Sequence, residues 1–283
     1  IQAQTQSGET INTFPSDSLS VPVNVAELAK SNWFPKAFLP FVSDRLGWRL
    51  PAKNIFKGEL VQLEIISNNA VSGWKRPIYF AATLPNDQYL GLKESMQLEG
   101  YAYRLMPFKI SGAKDGFVNT KIMADNMLNK MYWRGLNDPS IYYHGDFYMG
   151  IPSVTLRLGT YRLADQLIRE GNIPLAKKIL DHLNFVMPDK VIPYDQFSAS
   201  MVGLYLSIGE ENKALEIANT MVKRNAKSLD YYLAAGVRSN ERNIQIAAYE
   251  MNLIVSSLKE SKLAPAKYKE LEGIFNFQMS KMQ

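Results

Sequence analysis

The sequence predicts an α+β, mostly α chain: a small N-terminal α/β part followed by helical hairpins of the tetratricopeptide-like kind. Three observations carry this expectation. Residues 77–83 and 99–106 read as short buried strands set among short helices. From about Ile151 onward the apolar residues recur with a helical period. Within that region a repeat appears at an offset of 38 residues: Leu167-Ile168 aligns with Tyr205-Leu206, Gly171 with Gly209, Ala176 with Ala214, Ile179 with Ile217 and Leu183 with Met221. A helix that ends, a glycine that turns and a small alanine that lets the next helix pack closely make up one helical hairpin.

Taken in order, residues 1–18 are rich in Gln, Thr, Ser and Gly and read as a disordered lead or linker. Residues 18–23 alternate like an edge strand, where Pro22 is tolerated because no ladder donor is needed. Asn24 is placed to cap a helix over 25–30. The aromatic and proline-rich stretch 33–42 fits either a membrane surface or contacts inside the fold. A helix over 57–69 carries Leu60, Val61, Leu63, Ile65 and Ile66 on one wide buried face, and 68–73 ends it. The strand at 77–83, a turn at Pro85-Asn86-Asp87, a short helix near 90–95 and the strand at 99–106 follow.

The loop Ser111-Gly112-Ala113-Lys114-Asp115-Gly116 marks the expected boundary between an α/β domain at 19–116 and a helical-repeat domain at 117–283. The helices expected beyond it are 119–131, 151–170, 174–186, 195–208 and 211–225, with 228–237, 241–260 and 265–281 covering the end of the stack. The offset of 38 exceeds the common repeat of about 34 residues, so the likeness to that repeat class is one of architecture.

The 283 residues are 46% apolar and 21% charged, as in a folded globular chain. Lys and Arg number 32 against 27 Asp and Glu, a net charge of +5 with no long basic run, which argues against a nucleic-acid partner. The absence of cysteine excludes disulfides, thiolate zinc sites and cysteine nucleophiles. No apolar stretch approaches the roughly 18 residues that span a bilayer. Ile1 in place of Met is expected of a chain processed or cut from something longer.

Candidate chemistry is sparse. His182 has no second His or carboxylate at the spacing a metal needs, so no metal and no cofactor is expected. His144 has Asp146 two residues away but no nucleophile tied to it by a motif. Glu99 and Asp195 each have an ordinary structural place, at a strand start and at a helix start. No catalytic residue is assigned. The candidate ligand-binding residues are Trp74, Lys75, Arg76, Tyr79, Tyr101, Tyr103 and Arg104, which fall on or near two strands and combine aromatic platforms with cationic donors. Such a surface suits a sugar or a lipid-linked phosphate, because guanidinium groups bind phosphate bidentately. The other reading makes the tyrosines half-buried strand residues and pairs the charges with nearby acids.

The blocks Trp74-Lys75-Arg76-Pro77-Ile78-Tyr79-Phe80-Ala81 and Gln97-Leu98-Glu99-Gly100-Tyr101-Ala102-Tyr103-Arg104-Leu105-Met106-Pro107, with Arg162-Leu163-Ala164-Asp165-Gln166-Leu167 and Val191-Ile192-Pro193-Tyr194-Asp195-Gln196-Phe197-Ser198, carry a family resemblance. The chain resembles the C-terminal soluble region of bacterial protein O-mannosyltransferase-like multi-pass membrane proteins, a domain of unknown function. The resemblance implies a non-catalytic extracytoplasmic domain on the periplasmic face of the inner membrane. It implies attachment to the membrane through a glycosyltransferase-like parent, and an acceptor polypeptide or glycan as partner. The family's presumed catalytic acids lie in the membrane half, so none carries over. A freestanding helical-repeat adaptor that binds a protein and a carbohydrate-active enzyme are the alternative readings.

Overall fold

The computed structural model describes residues 2–4, 8, 10–12, 16–51, 55–144 and 151–282. The chain divides into two units, Ile1–Met123 and Ala124–Gln283.

In the first unit β1 (Gln2–Gln4) pairs antiparallel with β2 (Thr10–Asn12), Ala3 opposite Ile11. The expected disordered lead at 1–18 therefore holds a short ladder, consistent with the β-branched Thr10 and Ile11. β3 (Ser18–Pro22) leads to α1 (Val25–Lys30), whose first turn is capped by Asn24 Oδ1 accepting from the Glu27 amide at 3.1 Å. β4 (Arg45–Arg49) lies antiparallel to β3 with Leu19 opposite Trp48, and Pro22 ends the ladder opposite Arg45. Between them Phe34 is buried edge-on to Phe108 at 6.2 Å, and Phe38 lies 5.3 Å from the same ring. Those two aromatics of the 33–42 stretch are packing residues, whereas Phe41 is exposed.

α2 (Lys57–Val71) buries Leu63, Ile66 and Ala70, a stripe narrower than the single wide face expected. Val61 and Ile65 are exposed because helical spacing turns them away from that stripe, and Leu60, in the first turn at the edge of the stripe, is exposed as well.

A four-stranded sheet follows in the order β5-β7-β6-β8, built from β5 (Tyr79–Ala81), β6 (Met96–Leu98), β7 (Ala102–Leu105) and β8 (Phe117–Val118). The expected strand at 99–106 is half of a hairpin: Glu99 N donates to the Ala102 carbonyl at 3.0 Å, and Gly100 turns with φ +125°. The expected helix near 90–95 is a pair of 3₁₀ turns, Asn86–Tyr89 and Lys93–Ser95. β8 pairs parallel with β6, Gln97 opposite Phe117. The glycine loop at 111–116 thus lies inside the sheet's connections, and the division between units falls after Met123 rather than after Gly116.

The expected helix at 119–131 is α3 (Thr120–Asp125) running into a π turn, Asn126–Lys130. The second unit then stacks α4 (Ile151–Arg169) on α5 (Ile173–Val186) and α6 (Gln196–Ser207) on α7 (Glu211–Ala235), with α8 (Val237–Ser261) and α9 (Pro265–Ser280) packed against α7.

The two hairpins repeat bond for bond at the offset of 38. Gly171 N donates to the Ile168 carbonyl and Asn172 N to that of Leu167; Gly209 and Glu210 do the same to Leu206 and Tyr205. Both glycines sit in the left-handed region, at φ +76° and +79°, where a Cβ would be strained. Ala176 and Ala214 are fully buried at the same place in each second helix, as are Ile179 and Ile217.

α7 differs from expectation in running unbroken through 225–228. No glycine or proline interrupts it, and Asn225 is bonded to Glu250 of α8 rather than to its own backbone. Among the described residues no helix is long and apolar enough to cross a membrane.

Ala214→Leu forces added volume where the hairpin helices touch, and should destabilise the second unit by about 1–3 kcal/mol. Equilibrium urea unfolding followed by circular dichroism measures this, and an unchanged midpoint would contradict the close packing assigned to that alanine.

Candidate functional site

The register of the larger sheet sorts the candidate residues into two faces. β5 and β7 pair so that Tyr79 stands opposite Arg104 and Phe80 opposite Tyr103; β6 places Gln97 opposite Arg104 from the other side. Alternation puts Phe80 and Tyr103 into the core and Tyr79, Arg104 and Gln97 in one row on the other face.

In that row Arg104 Nη2 donates to Glu99 Oε2 at 2.7 Å, Nε to Tyr79 Oη at 2.9 Å and Nη1 to the Trp33 carbonyl at 2.9 Å. Tyr79 Oη donates in turn to Glu99 Oε2 at 3.2 Å. Gln97 Nε2 donates to Glu99 Oε1, and Asn119 Nδ2 donates to Gln97 Oε1 at 3.3 Å. Burial, then the Glu99 charge, pushes the Tyr79 hydroxyl above its ordinary pKa, so it stays a donor.

Trp74 does not join this row. It is 1% exposed, held at φ +55°, donates from Nε1 to the Pro22 carbonyl at 3.0 Å, and its own carbonyl accepts from Trp33 Nε1 at 2.9 Å. Lys75 and Arg76 are exposed, with the Arg76 backbone clipped to the Asn69 amide, and Tyr101 is half-buried. The seven candidates therefore do not form one surface. Tyr79 and Arg104 come together around Glu99, Trp74 and Tyr103 are packing residues, and Lys75 and Arg76 face solvent.

The second unit forms a groove that the sequence reading did not single out. The space between α5 and α7 is a cavity of about 460 Å³ whose lining includes Asp181, Phe185, Tyr194, Lys213 and Glu216. Asp181 is its hub: Lys177 and Lys213 approach its oxygens at 3.0 and 2.9 Å, and Tyr205 Oη donates to it at 3.2 Å. Burial raises the Asp181 pKa, but the hydrogen bonds from Lys213 and Lys177 outweigh it and hold the carboxyl below its ordinary value. Burial also pushes the Tyr194 hydroxyl up to about 12.

Phe185, 71% exposed, lines this groove and also an adjoining hollow formed with Pro174, Lys178 and His182. His182 meets Trp133 edge-on at 5.5 Å; its Nε2 is buried without a hydrogen-bond partner, and burial lowers its pKa, which keeps the ring neutral. Among the described residues no cluster is suited to a metal. His144 is exposed, and its companion Asp146 lies outside the described residues. The signal for the groove was present in the spacing: Phe185 is two residues past Leu183, off the stripe of Ala176, Ile179 and Leu183, so a helix there must present it outward.

Residues 1–122 match the sequence model of the family described as TMEM260-associated domain 2. That segment carries the Glu99–Arg104 row and ends before the helical unit begins. No curated protein and no solved structure matches the chain.

Glu99→Ala leaves the Arg104 guanidinium, 12% exposed, without its carboxylate, and should cost about 3 kcal/mol. Tryptophan fluorescence reads this in urea, since Trp33, Trp48 and Trp74 all lie in the first unit; retention of the wild-type midpoint would remove the row's structural role.

Glu250 gives a pH-dependent prediction. It is buried, accepts from Asn225 Nδ2 at 2.8 Å, and burial raises its pKa above the ordinary carboxylate value. A carboxyl whose folded pKa is raised binds its proton more tightly when folded, so its contribution is complete below the ordinary carboxylate pKa and is lost as pH rises through the raised one. Glu250→Gln keeps an acceptor for Asn225 and removes the charge. The melting temperature of the variant minus that of the wild type should therefore grow from pH 4 to pH 7, and a flat difference would contradict the raised pKa.

Proposed function

We propose that the chain is a non-catalytic, extracytoplasmic region of a membrane glycosyltransferase-like protein. In this reading it stands on the periplasmic face of the inner membrane, and its helical unit holds an acceptor polypeptide in the α5–α7 groove. The groove carries the proposal. It is open, bordered by both signs of charge at Asp181, Lys213, Glu216 and Lys190, and has one large aromatic side chain left in solvent. Alternating charge suits the backbone and side chains of an extended peptide, and an exposed phenylalanine is the kind of anchor that carries binding energy. The family resemblance and the match over residues 1–122 support the connection to a membrane transferase.

A non-catalytic role fits the acids. Glu99 is held by Arg104, Tyr79 and Gln97, and Asp181 by two lysines and a tyrosine, so each carboxylate is occupied by neighbours. A freestanding adaptor would use the same groove and differ only in what the chain is attached to.

Fluorescence anisotropy with an unfolded, Ser/Thr-rich polypeptide tests the groove. Phe185→Ala should weaken its binding at least tenfold, about 1.4 kcal/mol, while the purified chain alone transfers no sugar and hydrolyses no glycoside. Binding that Phe185→Ala leaves unchanged would overturn the groove assignment. Turnover abolished by a point substitution in this chain would overturn the non-catalytic one.

A further inference from the structure

A second cleft, of about 500 Å³, lies along α7 and is lined by Lys223, Arg224, Lys227, Tyr231 and Tyr232, with the hydroxyl residues Thr220 and Ser228. Lys223, Lys227 and Tyr231 follow one another at four-residue steps, which on a helix places them in one row. Among the described residues no acid lines the cleft.

The neighbouring acids are matched to other cations. Asp189 takes Arg224 Nη1 at 2.6 Å, Asp230 takes Lys281 at 2.6 Å, and Glu270 takes Lys267 at 2.6 Å. Arg224 is further tied by Nη2 to the Tyr194 carbonyl at 2.8 Å, so it forms a fixed and neutralised wall. Lys223 and Lys227 are exposed, and no acid among the described residues is in ion-pair contact with either. Beside them Tyr231 is 68% exposed and is steadied edge-on by the half-buried Tyr232 at 5.6 Å.

Glu270 acts on Lys223 only from beyond ion-pair contact while it is bound to Lys267, so the two ammonium groups still present a net positive face that attracts an anion. An exposed tyrosine face attracts a flat apolar surface, which a pyranose ring presents on its C–H side. Thr220 Oγ1 donates to the Glu216 carbonyl at 2.9 Å, which leaves its oxygen free to accept from a ligand hydroxyl. A ligand satisfying all three is a sugar that carries negative charge.

We infer that this α7 cleft binds an anionic saccharide, a sugar phosphate or a sugar acid, with Lys223 and Lys227 holding the anion and Tyr231 stacking on the ring. The inference does not rest on Phe185 of the α5–α7 groove, although Thr220 lines both clefts.

The test is a titration of the full chain at low ionic strength, read by backbone amide chemical shifts, with glucose 1-phosphate, glucuronate, neutral glucose, inorganic phosphate and an oligoglutamate peptide as separate probes. At least one of the two anionic sugars should bind with a dissociation constant of about 1 mM or tighter, about 4 kcal/mol, and glucose at least tenfold more weakly. Which of the two binds tells whether the site takes phosphate or carboxylate. Lys223→Ala combined with Lys227→Ala should lose the anionic sugar at least tenfold, while the paired Lys→Arg variant retains it. Tyr231→Ala should weaken the anionic sugar and leave inorganic phosphate unchanged. All three positions are exposed, and unaltered melting temperatures establish that the variants are folded. The inference is overturned if neither anionic sugar shifts these residues. It is also overturned if inorganic phosphate binds as well as glucose 1-phosphate with no effect of Tyr231→Ala, or if oligoglutamate binds more tightly than either sugar.

Discussion

The helical unit depends on one buried guanidinium. Arg157 of α4 is 2% exposed; its Nη2 donates to the Ile192 carbonyl and its Nη1 to that of Pro193, both at 2.7 Å. Nη1 also stands 3.2 Å from Asp195 Oδ2, an ion-pair contact outside hydrogen-bond geometry. Asp195 Oδ1 meanwhile accepts from the Phe197 and Ser198 amides at 2.9 and 3.1 Å and so caps α6. A single side chain on the first helix thus fixes the connection between the two hairpins and the start of the third helix. Burying a charge is unfavourable unless it is paired and hydrogen-bonded. Here the carbonyls it satisfies belong to an irregular segment that has no ladder of its own. An apolar residue of the same volume would leave those groups buried without partners, which is why hydrophobic packing alone cannot replace it. The consequence reaches the surface, because the same segment carries Tyr194, whose amide donates to Asp189 at 2.7 Å and whose carbonyl accepts from Arg224. The walls of both α7 clefts are therefore set from inside the hairpin stack.

The sheet unit uses the same device on a smaller scale. Arg104 and Glu99 satisfy each other across a two-strand register, and Tyr79, Gln97 and the Trp33 carbonyl take up the remaining bonds. A stretch dense in tyrosine and arginine can look like a ligand surface for this reason: the residues that best bind a sugar phosphate are also those that best fill the polar face of a short sheet. Register decides between the two uses, and register depends on which residues face each other across strands, which local sequence does not contain.

Much of the helical unit was legible because its signals are local. The glycine at each hairpin turn rests on a backbone preference that holds regardless of surroundings, as does the Asn24 cap in the first unit, and the alanine five residues later marks the close helix contact by its small size. The elements that escaped are those decided by distant partners. The buried Trp74 takes a left-handed φ that its own chemistry disfavours, supported by Pro22 and Trp33 from elsewhere in the chain. The continuity of α7 escaped too, because polar Asn225-Ala226-Lys227 resembles a break until Asn225 finds Glu250 on α8. Dividing that helix at 225–228 placed Lys223 on one element and Tyr231 on another, with Lys227 in the gap between them, and their common face could not be seen.

The two clefts lie side by side on α7, with Thr220 lining both and the Arg224–Asp189 pair between them, yet their fields differ in range. In the α5–α7 groove Asp181, Lys213 and Asp189 each have an opposite charge within about 3 Å, and Lys190 and Glu216 add one charge of each sign, so the groove carries no net field of one sign and selection is left to contact and shape. In the other cleft two lysines have no such neighbour, and their field extends about a Debye length, roughly 10 Å at 0.1 M salt. The Arg224–Asp189 pair makes that difference possible. It withdraws one cation from the basic side and one carboxylate from the mixed side. One helix face can then present a surface read by contact beside a surface read by charge, separated by a single ion pair.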